Sequence, residues 1–147
     1  MTDHPLAEII PGFNLYSYYA GITMAFAEVV AAGCKQLALS YPYSAEEAEA
    51  MMRASEYAAA EYGVVLMVEP DLLVTRLFPS DVARDKTVIL IARDQSIIDD
   101  YMMLKKLKKY STEEGNPDDL ETEIAQRLGA LLSYDLEKIN KLIAENS

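Results

Sequence analysis

Three short stretches carry the residues best suited to chemistry: Tyr41-Pro42-Tyr43-Ser44, Glu69-Pro70-Asp71 and Arg93-Asp94-Gln95-Ser96. Each follows an apolar run of strand character, and ligands of open α/β sheets gather where strands end and helices begin. Arg93 has a planar fork that grips a carboxylate in a way lysine cannot reproduce. Tyr41 and Tyr43 pair large apolar rings with polar tips and suit pocket walls. Ser44, Glu69, Asp71, Asp94 and Ser96 add hydroxyls, carboxylates and a helix start. The ligand edge read from the sequence is therefore Tyr41, Tyr43, Ser44, Glu69, Asp71, Arg93, Asp94 and Ser96. Glu69 and Asp71 could be a glycosidase-like carboxylate pair, or no more than turn formers. Arg76 has the same two readings, as an anion-binding arginine or as a packed stem whose head reaches water or a carboxylate.

Other chemistries are excluded by residue supply. The chain has one histidine, His4, and one cysteine, Cys34. A histidine triad, a His-rich metal site and an internal disulfide therefore drop out, and no metal or cofactor is expected. A lone thiol fits a reducing, cytoplasmic setting. Six glycines are present, and none falls in a G-x-G-x-x-G or G-K-[ST] pattern, so no phosphate loop is expected. Thirteen basic residues stand against 24 acidic ones, a net charge of −11, which disfavours nucleic acid and anionic membranes. The apolar stretch from Leu15 to Ala32 is interrupted by Glu28 and rich in alanine, glycine and tyrosine, so it reads as a buried helix rather than a membrane span. The first ten residues lack lysine and arginine, unlike a secretory signal.

The elements that must position these residues follow from periodicity. Residues 1–12 read as a tail ending at Pro11-Gly12, and residues 13–147 as one domain, whose 118–147 portion forms a C-terminal helical hairpin. Strands are expected at Gln36–Tyr41, Val64–Val68, Leu72–Phe78 and Val88–Ala92, each a short apolar run bounded by turn residues. Glu69-Pro70-Asp71 reads as a tight hairpin between the second and third. Asn14 caps a first helix stopped by Gly33, Ser44 and Glu47 form a capping box for a second that ends at Gly63, and Asp94 or Ser96 caps a third reaching about Tyr110. Ser111–Asn116 reads as a loop, Asn116-Pro117 opens a fourth helix, and Ser133 caps a fifth. Lys105, Lys106, Lys108 and Lys109 crowd the end of the third helix. They read either as a solvated face complementing the helix dipole or as a docking patch for an acidic partner.

The fold class read from this order is an α/β domain of the α+β variant. It has a mixed four-stranded sheet with one right-handed βαβ unit and an antiparallel meander, packed by about five helices. Strand order 1-2-3-4 is expected, with 2-3-4-1 as the alternative. The Leu15 to Val30 helix lacks a charged face, so part of it is expected to be buried in a homodimer or larger oligomer. In function the sequence reads as a self-associating domain that binds a small molecule or a protein. The alternatives are an enzyme working with carboxylate and tyrosine groups, and a nucleic-acid regulator using the C-terminal helices. The last pair resembles a helix-turn-helix in spacing only, because Asp135, Glu137 and Glu145 offset Lys138 and Lys141.

Overall fold

The structure is a computed structural model that describes residues 4–147. The first three residues of the expected tail lie outside the described residues. Pro5–Glu8 form a turn of 3-10 helix, and His4 stacks on Phe13 with ring centroids 5.2 Å apart. The chain then runs α1 (Leu15–Ala31), β1 (Leu37–Leu39), α2 (Ala45–Tyr62), β2 (Val65–Glu69), β3 (Val88–Ala92), α3 (Gln95–Glu113), α4 (Asp118–Leu131) and α5 (Leu136–Glu145).

Local signals set the helix starts. Asn14 Oδ1 accepts the Ser17 amide at 2.9 Å, and Ser44 and Glu47 close a full capping box on α2. Gly63 ends α2 in the left-handed region at φ 72°, where a side chain would strain the backbone. Two helix boundaries differ from the sequence reading, and β1 is shorter than the expected Gln36–Tyr41. Helix α3 runs on to Glu113, because Ser111 is buried and donates to Glu121 of α4. Helix α5 is capped by Asp135, whose carboxylate accepts the Lys138 amide at 2.7 Å, while Ser133 adopts φ 63° in the turn before it.

The sheet overturns the four-stranded reading. It has three strands in the order β1-β3-β2, and β3 runs antiparallel to both neighbours. Strands β1 and β2, joined through α2, are separated by β3, so there is no βαβ unit of adjacent parallel strands and the class is α+β. Neither 1-2-3-4 nor 2-3-4-1 describes it. Leu72–Phe78 is not a strand. Leu73, Thr75 and Leu77 are buried while Val74 is 48% exposed, so the period-two pattern is present without a ladder. Its amides find side chains instead: Leu73 N–H donates to the Tyr101 hydroxyl oxygen and Leu77 N–H to Thr75 Oγ1, both at 3.0 Å. Glu69-Pro70-Asp71 is accordingly no tight hairpin. The chain leaves the sheet there and returns only at Thr87, just before β3.

The sheet is the middle of three layers. Ala38, Ile89 and Ile91 face α1 and α2, and Leu37, Val88, Leu90 and Ala92 face the larger core built with α3, α4 and α5. All five residues of β3 are buried. On α1 the inward positions are Tyr19, Thr23, Ala27 and Val30, so its small residues let the helix approach the sheet, while Tyr16, Gly21, Ala25 and Glu28 stay exposed.

Candidate functional site

The antiparallel course of β3 distributes the eight residues singled out in the sequence. Tyr43 bridges to Thr87 at one end of the sheet, whereas Ala92, and hence Arg93, lies at the other, beside the start of β1. Arg93 pairs there with Asp94 at 3.0 Å, both side chains half exposed, and Asp94 also caps α3 through the Ser96 amide. The hydrogen bonds from Ser96 and then from Arg93 hold the Asp94 carboxyl below the usual range. Arg93 and the two tyrosines therefore do not share a concavity. The grouping assumed that the last strand runs parallel to the first, and it runs the other way.

Tyr41, Tyr43 and Ser44 form a cluster of their own on the α1–α2 side. The Tyr19 ring stacks on Tyr41 at 4.9 Å and meets Tyr43 edge-on at 5.0 Å. Burial, and next the negative Glu47 carboxylate, push the Tyr19 hydroxyl well above the ordinary tyrosine value. Ser44 is taken up by the capping box.

Glu69 and Asp71 lie at the same end of the sheet as the tyrosines but on its opposite face. Glu69 is 3% exposed. Its Oε2 accepts from the Tyr101 hydroxyl at 2.7 Å and from Lys105 Nζ at 3.0 Å, and its Oε1 accepts the Asp71 amide at 2.9 Å. Lys105 also donates to the Asp71 carbonyl at 2.8 Å. Burial, opposed by the Leu73 amide and reinforced by Glu69, raises the Tyr101 hydroxyl far above its ordinary value. With both carboxylate oxygens occupied and the tyrosine fixed as a donor, this network fastens the segment after β2 onto α3.

That fastening creates a groove of about 490 Å³, with Leu72, Leu73 and Val74 on one wall and Met102, Lys105, Lys106, Lys108 and Lys109 on the other. The groove adjoins, across Val74, a mixed cleft of about 460 Å³ bordered by Leu72, Phe78, Pro79, Val82 and Ala83 together with Asp71, Arg84 and Asp85. A third, of about 570 Å³, contains Arg76, Arg84 and Lys108. Six of the chain's thirteen basic residues line these grooves alongside the acidic Asp71, Asp81, Asp85 and Glu121, a local concentration of positive charge on a molecule of net charge −11. Their charges are not equally available. Lys105 is held by Glu69, Lys108 pairs with Glu121 at 2.5 Å, and Arg76 pairs with Asp118 at 2.5 Å. Arg76 thus follows the packed-stem reading. Lys106 and Lys109 are exposed and make no ion pair among the described residues. Both stand next to exposed apolar surface, Val74 and Met102.

The lysines were visible in the sequence as a run, but the apolar wall opposite them was not, because Leu72–Val74 read as strand. The spacing of Met102, Lys105, Lys106 and Lys109, which share one helical face, was the signal for a mixed apolar and cationic wall. No set of three or more His, Cys, Asp or Glu side chains among the described residues is arranged to hold a metal ion, and no described helix is long and apolar enough to cross a membrane. Comparisons of the chain with protein-family models, curated proteins and solved structures find no match.

Proposed function

We propose that this protein is a binding domain for an anionic ligand, taken up in the groove between residues 71–74 and α3. One observation carries the reading: two unpaired lysines, Lys106 and Lys109, stand over an apolar wall on a molecule whose net charge is strongly negative. The anchored neighbours Lys105 and Lys108 supply the fixed geometry, and the two free ammonium groups supply attraction. A catalytic role for Glu69 and Tyr101 finds no support in this arrangement, since their polar atoms are already engaged with one another and with Lys105, Asp71 and Leu73.

The reading is tested by a thermal-shift screen of phosphate, citrate and acidic peptides at low ionic strength, because a ligand of the folded state raises apparent stability. A positive shift that shrinks with added salt is expected, as exposed charges are screened beyond about 10 Å at 0.1 M. The double variant Lys106→Glu, Lys109→Glu should lose it. A shift that is unchanged in the variant contradicts the site.

Self-association belongs to the same proposal. The outward side of α1 carries the small Gly21 and Ala25 beside the exposed Tyr16 ring, with the single charge of Glu28 further along, and the small residues suit close apposition of a second copy. Light scattering that finds only the 16.4 kDa monomer at micromolar concentration would remove this part. A cytoplasmic, reducing location accords with the exposed single thiol of Cys34.

A further inference from the structure

We propose that the occupant of the lysine groove is an extended, acidic peptide segment of a partner protein, with carboxylate side chains alternating with apolar ones. The inference rests on the anion-binding reading above and narrows it.

Three features separate such a peptide from a small anion. First, the positive charge is distributed. Lys106 and Lys109 lie one helical turn apart, with Cβ atoms about 5–6 Å from each other, and neither is held in an ion pair among the described residues, whereas the neighbouring Lys105 and Lys108 are. A single phosphate or carboxylate is held best by a bidentate guanidinium fork or by converging backbone amides. Two separate point charges on flexible stems suit several carboxylates in succession. Second, the groove has unlike walls. Lysines and Met102 stand on the α3 side, Leu72 and Val74 on the other, and Val74 is 48% exposed. An extended chain sends successive side chains to opposite sides, so alternating acidic and apolar residues meet both walls at once. Third, the floor is closed. Asp71 and Leu73 hydrogen-bond directly to Lys105 and Tyr101 across it, at 2.8 and 3.0 Å. With those main-chain groups engaged, the groove meets a ligand through the side chains of its two walls, as the alternating side chains of an extended segment require. The second groove begins on the other side of Val74 and adds apolar contacts at Phe78, Pro79 and Val82, with the aspartates Asp71 and Asp85 beside Arg84 marking where an acidic chain would turn away.

The experiment uses the full chain and fluorescence polarisation of a short fluorescein-labelled peptide of alternating glutamate and leucine. Binding is expected, weakened about tenfold or more by Lys106→Glu with Lys109→Glu, and likewise by Val74→Asp, a step of about 1.4 kcal/mol per decade of affinity. Circular dichroism of each variant checks that the exposed substitutions leave the fold intact. If an otherwise identical peptide of alternating glutamate and serine binds equally well, the apolar half of the proposal is overturned. Tighter binding by a peptide with its acidic residues at helical spacing overturns the extended form, and tighter binding by a single-stranded oligonucleotide overturns the peptide itself. If phosphate or citrate stabilises the protein while no peptide binds, the anion-binding reading stands and this inference fails. If none of these probes binds, both fail.

Discussion

The weight of the molecule at the residue scale falls on two carboxylates that sit in the interior. Glu69 is the hub of the post-β2 anchor, and Tyr101 joins it to the Leu73 amide. Replacing Tyr101 with phenylalanine keeps the ring in the core but strands one buried amide and removes one donor from Glu69. We expect a loss of about 1–3 kcal/mol in urea denaturation, with the 70–86 segment more open to proteolysis. Glu121 is the second. Burial alone would raise its pKa, but the Lys108 and Ser111 hydrogen bonds and the Lys108 and Arg76 charges outweigh it, and the carboxyl sits below its ordinary 4.5. A depressed folded-state value stabilises the protein above the unfolded value and loses that contribution as pH falls towards the folded one. The urea midpoint should therefore drop as pH is taken below about 4.5, and Glu121→Gln should flatten that acid limb while lowering the midpoint at neutral pH. Glu69 was legible as a residue at a sheet end. Its partners were not, because Tyr101 and Lys105 lie 32 and 36 positions away and nothing local links them.

Among the elements, α4 and α5 pack closely where they cross. Gly129 is buried, and a Cβ there would fall 2.5 Å from Ile139 Cγ1 and 2.8 Å from its Cδ1. Gly129→Ala should therefore destabilise the pair by about 1–3 kcal/mol despite the better helix propensity of alanine. Combining it with Ile139→Val, which removes one of the crowded methyl groups, should recover part of the loss, a non-additivity that a double-mutant cycle in urea would read directly. Additive losses would mean that Ile139 simply moves aside. Three helix starts were readable because caps are local: Asn14, Ser44 with Glu47, and Asp94 all act within three residues, whereas at α5 the cap is Asp135 and not Ser133. The end of α3 was not, since Ser111 is polar in sequence yet buried by a bond to another helix. Leu72–Phe78 misled for a related reason. Alternating burial is what a strand shows, but any extended segment lying on a core shows it too, and only the hydrogen-bond partners differ.

The whole molecule is decided by where β3 goes, and strand order was the part of the fold least visible in the sequence. Pairing depends on which edges are free after the helices pack, which no single run encodes. One signal was partly present: Val88–Ala92 has no polar residue, as befits a strand flanked on both sides and covered on both faces, but Val64–Val68 has none either, so the run alone did not mark the central strand. Its central position also makes the protein an interlocking object of two pieces. Residues up to Glu69 build β1, α2 and β2 as two like-directed strands held about 10 Å apart, two strand spacings, with no hydrogen bonds between them and a slot waiting. The strand that fills the slot arrives with the second piece, after the exposed stretch at 79–86. During synthesis the sheet cannot close until Ala92 is free, so the amino-terminal portion has no ladder of its own. The same geometry means that a cut in 79–86 severs the chain without releasing either half, because β3 stays clamped between β1 and β2. A singly nicked sample should elute as an intact molecule in size exclusion and separate only in denaturant. The two fragments, mixed on removal of denaturant, should restore the β-sheet signal that the amino-terminal fragment lacks alone.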